Sequence, residues 1–122
     1  MFNCALSSKK NNSREIPFEI SEKNSGDCRI RQSLESGFYN EEKRKIINVN
    51  VETLDDIFEK NTNLNADKVT LIWVDIQGHE GYFFEGAKKL LSRKIPVICE
   101  IWRYGIERSG MSLEEYKNIV YQ

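Results

Sequence analysis

Residues 69–76, Val69-Thr70-Leu71-Ile72-Trp73-Val74-Asp75-Ile76, make an almost unbroken apolar run rich in β-branched side chains. A strand with one wet face alternates polar and apolar residues, and this one does not. The run therefore predicts a parallel strand buried on both faces. Parallel strands need a crossover, usually helical, before their partner. The chain supplies one: Phe83, Phe84, Ala87, Leu90 and Leu91 recur at helical spacing, predicting a helix from about Glu80 to Ser92. Lys88, Lys89 and Arg93 sit near its C-terminal end, where the helix dipole favours cations. Pro96-Val97-Ile98-Cys99-Glu100-Ile101 then reads as the second buried strand.

The flanks extend this pattern. Thr53 is placed as an N-cap, with Asp55 and Asp56 in the first turn and Leu54, Ile57 and Phe58 as an apolar face. Ser112-Leu113-Glu114-Glu115 is a capping box that opens a last helix through Val120. The first 50 residues differ. Asn3–Ser7 reads as a short strand and Ser8–Ser13 as a polar loop. Ile16, Phe18 and Ile20 alternate with Pro17 and Glu19 in a half-buried strand, where Pro17 favours an edge. Asn24-Ser25-Gly26-Asp27 is a turn, and Ile47, Val49 and Val51 mark another strand. The expected architecture is α/β: parallel strands with an antiparallel hairpin region near the N-terminus.

At 122 residues the chain is a single domain at most. Its 18 Lys and Arg against 19 Asp and Glu leave a net charge of −1, with the signs interspersed, which argues against nucleic-acid binding. The run Glu41-Glu42-Lys43-Arg44-Lys45 carries both signs and reads as a solvated loop or helix end. No window approaches the ~20 apolar residues of a membrane span, and the N-terminus lacks a secretory signal pattern. Cys4, Cys28 and Cys99 are widely separated and only one His is present, so no metal site is expected. Free thiols make the cytoplasm the expected location.

The chemistry-bearing segment is Val74-Asp75-Ile76-Gln77-Gly78-His79-Glu80. In open α/β sheets ligands bind outside the carboxyl ends of the strands, which directs Asp75 to a site. Gly78 allows a sharp turn or a close backbone approach. His79 is a candidate base, against a packing or capping role. Glu80 is a candidate catalytic carboxylate, or else an anion favouring the helix N-terminus. Glu100 holds the matching place on the next strand and converges on the same crevice, unless it pairs with Arg103 or Arg93. Trp73 and Trp102 read as packing residues, with stacking as the alternative for Trp102. No P-loop, nucleophile elbow or G-x-G-x-x-G is present.

At these residues the chain resembles the FkbM-type methyltransferases. Four segments fall in that family's order: Asn3-Cys4-Ala5-Leu6-Ser7, Asn24-Ser25-Gly26-Asp27, Thr53-Leu54-Asp55-Asp56, and Val74–Glu80 continuing to Glu85-Gly86-Ala87-Lys88-Lys89-Leu90-Leu91. Gln77 stands where many relatives have Glu. The resemblance implies a Rossmann-like, S-adenosylmethionine-dependent methyltransferase acting on a hydroxyl of a small molecule or sugar. It implies that Asn3, Ala5 and Leu6 lie near the adenine, with Asp75 and Gly78 also at the cofactor. It implies that Asp75, Gly78, His79 and Glu80 lie beside the methyl donor and acceptor; with Glu100 from the next strand end, the candidate catalytic groups are Asp75, His79, Glu80 and Glu100. The family's Gly-rich turn and its ribose-binding acid have no counterpart in this sequence. The resemblance thus implies a partial domain over 1–122, lacking roughly 60 to 80 preceding residues, inactive and weakly stable alone. In the family's strand order, 3-2-1-4-5-7-6, their loss leaves an unpaired apolar edge at Leu71–Val74. The competing expectation is a non-catalytic remnant or a protein-interaction module.

Overall fold

The computed structural model describes residues 1–8 and 14–122, so the expected loop at 8–13 lies outside the described residues apart from Ser8. The strands are β1 (Ala5–Leu6), β2 (Glu15–Ile20), β3 (Arg29–Ile30), β4 (Lys45–Glu52), β5 (Ile72–Val74) and β6 (Val97–Cys99). The helices are α1 (Leu54–Lys60), α2 (Glu80–Gly86), α3 (Lys88–Leu91), α4 (Arg103–Arg108) and α5 (Leu113–Val120). One sheet has the order β1-β4-β2-β3 and the other joins β5 to β6. β5 and β6 run parallel, Ile72 opposite Val97 and Val74 opposite Cys99, with a helical crossover between them as expected. In the first sheet β2 is antiparallel to both β3 and β4, while β1 pairs parallel with β4. The result is a mixed α/β fold.

Local signals place the helix starts. Thr53 Oγ1 accepts from the Asp56 amide at 2.9 Å, which stops β4 and opens α1. Ser112 and Glu115 complete the capping box reciprocally at α5. The main core lies between the β5–β6 sheet and α2–α3: Val74, Phe83 and Ala87 are buried, and Leu6, Leu54, Ile72, Ile76, Leu91 and Val97 pack on them. Burying a side chain such as Phe83 stabilises the fold by ~1.5–3 kcal/mol. A second cluster, Ile106, Met111 and Tyr116, docks α5 under α4.

Several expectations need correction. β5 is not buried on both faces: Val74 is buried, yet Trp73 is 73% exposed and Leu71 49%. Ile98 and Ile101 are exposed as well. Successive side chains of a strand point to opposite faces, and α2 and α3 cover only one. Trp73 is therefore not a packing residue.

Pro17 is not on an edge strand, because β2 lies between β4 and β3. Its carbonyl accepts from the Arg31 amide at 2.8 Å, so its ring nitrogen faces the β3 side just beyond β3's last residue, Ile30. A missing donor there costs no ladder bond.

The single helix expected over 80–92 is two, broken at Ala87 (φ −121°). Gly86 packs against the Ser7 carbonyl, where a Cβ would overlap it. Immediately afterwards the Asp55 carboxylate accepts from the amides of Lys89 and Leu90, each at 2.9 Å, and so caps a new helix start.

Candidate functional site

The carboxyl ends of β5 and β6 meet at a three-residue arrangement. Gln77, held in the left-handed region at φ 55°, directs its side-chain amide between two acids. Nε2 lies 2.6 Å from Asp75 Oδ1 and 3.4 Å from Glu100 Oε2. One amide nitrogen carries two hydrogens, enough for one to each carboxylate. Asp75 and Glu100 are both exposed. Neither expected partner takes Glu100: Arg103 bonds Glu107 at 2.8 Å, and Arg93 pairs with Asp67.

The turn behind them is tight because Gly78 sits at φ 98° against Gly105. A Cβ on Gly78 would overlap the carbonyl group of Gly105, so this turn and the first turn of α4 touch backbone to backbone.

Glu80 folds inward at the start of α2 and is fully buried. Its Oε1 accepts from the Ile76 amide at 3.1 Å. Burial pushes its carboxyl pKa up, and the Glu100 charge adds to this. Backbone donors at Glu80, Ile76 and Gly78 oppose the rise. Its geometry stitches the turn closed.

His79 is also buried, its ring stacked on Tyr82 with centroids 4.5 Å apart and its Nε2 2.9 Å from Ser7 Oγ. Burial pulls its pKa down to about 4, so the ring is neutral at physiological pH. The structure brings Asp75 and Glu100 together and turns His79 away from them, into the seam between β1 and α2.

Beside Gln77 opens a cleft of about 770 Å³ whose lining includes Lys23, Tyr39, Lys43, Arg44, Gln77 and Trp102. Its floor is an ion network that composition did not reveal. Arg29 reaches Glu19 at 2.8 Å and Glu41 at 2.7 Å. Arg44 reaches Glu19 at 3.1 Å and also binds Asp27. Glu41, expected in a solvated run, is instead fully buried. Tyr104 donates to it at 2.6 Å, the Tyr39 amide at 2.9 Å, and Arg108 lies at 3.4 Å. Burial pushes the Glu41 carboxyl up, but these donors, its own amide and the Arg108 charge outweigh that and hold it near 2. The network buttresses the aromatic wall: the Arg29 guanidinium lies 5.0 Å from the Trp102 ring centroid.

Among the described residues no group of His, Cys, Asp or Glu could hold a metal ion. No described helix is long and apolar enough to cross a membrane.

A mixed α/β chain with acids at the carboxyl ends of two parallel strands, beside an open cleft, has the layout of a ligand-binding α/β domain. The chain belongs to the FkbM methyltransferase domain family, whose model matches residues 1–119. No curated protein and no solved structure shows a significant match to it. Membership makes it a methyltransferase by family, and such enzymes in general take their methyl from S-adenosylmethionine and pass it to an acceptor molecule.

Of the residues assigned to that cofactor by resemblance, Asn3 and Asp75 are exposed and Ala5 is half-buried. Leu6 packs on the main core, and Gly78 is covered by Gly105. Of that set, Asn3 and Asp75 present open side chains, and the backbone at Gly78 is closed off by Gly105.

Proposed function

We propose that this chain serves S-adenosylmethionine-dependent O-methylation of a hydroxyl on a small molecule or sugar, within a Rossmann-like site. The observation that carries this reading is the Asp75–Gln77–Glu100 arrangement at the strand ends, of which Gln77 also lines the cleft. When bound, the cofactor supplies an electrophilic methyl on a sulfonium and needs little activation. This chain's own task is to place the acceptor oxygen and take its proton. Gln77 occupies Asp75 Oδ1, which leaves Oδ2 to accept from the acceptor hydroxyl. Glu100, tethered through the same amide, keeps negative charge beside the proton that moves. Glu80 and His79 are positioning residues: one closes the turn, the other fastens β1 to α2. The free thiols of Cys4, Cys28 and Cys99 suit the reducing cytoplasm.

The test pairs titration calorimetry of S-adenosylmethionine with transfer of a tritiated methyl to a panel of hydroxylated acceptors. Asp75→Asn should lower transfer by ~10²-fold or more while leaving acceptor binding in place. Full activity in that variant would remove Asp75 from the mechanism. A second reading, a protein-interaction module, draws on the exposed apolar face of Leu71, Trp73, Ile98 and Ile101. Absence of any cofactor binding by the wild-type chain would favour it.

A further inference from the structure

We propose that the cleft beside Gln77 takes an anionic sugar, with the ring against Tyr39 and Trp102 and the anion at Lys23 and Lys43. This rests on the methyltransferase reading, with the sugar as the acceptor or as the part of it nearest the reacting hydroxyl.

The wall is built for a flat apolar face. Tyr39 and Trp102 lie 5.9 Å apart between centroids at 60°, forming an open angle. Tyr104 sits behind both, 5.6 Å from Tyr39 and 5.3 Å from Trp102. Arg29, itself 5% exposed, lies over one face of Trp102, 5.0 Å from the ring centroid, and so backs the wall from behind. Tyr39 nevertheless stays 53% exposed, so a well-supported aromatic surface is left in water. Aromatic planes rimmed by polar groups match the two-sided character of a pyranose, whose C–H face packs on rings while its hydroxyls stay hydrogen-bonded.

The charge around the wall is uneven. Arg44 and Asp27 line the cleft but neutralise each other. That leaves Lys23 and Lys43 against Glu22, and neither lysine forms an ion pair among the described residues. The surplus cation favours a carboxylate or a phosphate on the ligand. A single-stranded nucleic acid also combines stacking with negative charge. It needs a basic track along its backbone, however, whereas the cleft offers two lysines interrupted by Glu22 and an arginine already paired with Asp27. At about 770 Å³ the cleft has the size of a small-molecule site.

The experiment is a titration of the ¹⁵N-labelled protein, without cofactor, followed by amide and indole shifts. The probes are methyl β-D-glucuronide, glucose 6-phosphate, neutral methyl β-D-glucoside and an oligothymidylate. Both anionic sugars, or the one whose anion the site prefers, should move the Trp102 indole and Tyr39 signals. The neutral glucoside should bind roughly tenfold more weakly, and Lys23→Ala with Lys43→Ala should remove about the same tenfold. Tyr39→Ala should weaken all three sugars together. Both lysines are exposed, so a retained wild-type spectrum confirms that the double variant is folded. Equal binding of the neutral glucoside, shifts remote from Trp102, or tighter binding of the oligothymidylate would overturn the assignment. The titrations need no methyl donor. Cleft binding without methyl transfer would sink the methyltransferase reading alone, and transfer without cleft binding would sink this one.

Discussion

Replacing Glu41 by Gln tests how much the floor of the cleft depends on one buried charge. The carboxylate faces Arg29, Arg108 and Tyr104 through Oε1 and the Tyr39 amide through Oε2. A glutamine keeps one acceptor and turns the other into a donor facing donors. Among the described residues, Arg29, Arg31, Arg44 and Arg108 would then be opposed only by Glu19 and Asp27. Breaking a buried ion group on one side costs ~3–5 kcal/mol. Proton linkage gives a similar size: a carboxyl held near 2 against a reference of 4.5 is worth ~3 kcal/mol at neutral pH.

The sign follows from the depressed pKa. The stabilisation is fully present above pH 4.5 and is lost as pH falls through 2. Urea unfolding of wild type and Glu41→Gln should thus differ by ~3–5 kcal/mol at pH 7. The gap should narrow by ~3 kcal/mol as the pH falls toward and below 2. His79 titrates in both proteins and cancels from the difference. A gap under ~1 kcal/mol at pH 7, or one that ignores pH, would refute the buried-charge argument.

Gly78→Ala should cost ~2–4 kcal/mol, combining the strain of a left-handed alanine with overlap on the Gly105 backbone, and lower the melting temperature by roughly 10 °C; an unchanged melt would show that the turn can move away. His79, neutral and buried, should contribute stability above pH 6.5 that is lost as pH falls through 4. In His79→Phe that part of the pH slope should vanish, and an identical slope would place the titration elsewhere. Acrylamide should quench Trp73 strongly, because it is 73% exposed; Trp73→Phe should remove the most quenchable emission, and unaltered quenching would mean that the face is covered in solution.

Whatever depended on neighbours in sequence could be read without the structure. The Thr53 and Ser112 caps are decided within three residues, and both form. The meeting of Asp75 and Glu100 follows from two parallel strands in register, each ending in an acid. The ion network could not be read the same way. Glu41 and Arg44 sit in a mixed-charge run that looks solvated, and their partners Glu19, Asp27 and Arg29 lie up to 25 residues away. The one local hint was Glu19 within β2, which proves to be buried while Phe18 and Ile20 beside it are only half-buried. Gln77 looked like a bland variant of Glu, because a left-handed backbone between two strand ends leaves no trace in composition. The almost unbroken apolar run of 69–76 pointed to a strand, which forms over the shorter span Ile72–Val74, but periodicity cannot say whether a layer is present on each side.

The cap that Asp55 places on α3 also bears on the order of assembly. α3 has four residues, too few to nucleate as an isolated helix. Its first amides are bonded to a side chain 34 and 35 positions earlier. The turn of helix at Lys88–Leu91 therefore waits for α1 to arrive across the intervening strand, and unravels when α1 leaves. Hydrogen exchange at the Lys89 and Leu90 amides should report that docking, protected to the same degree as the interior of α1 and not as a free helix end. Two segments on either side of β5 thus open and close as one cooperative unit, and β5, with Asp75 just past its end, is enclosed within it.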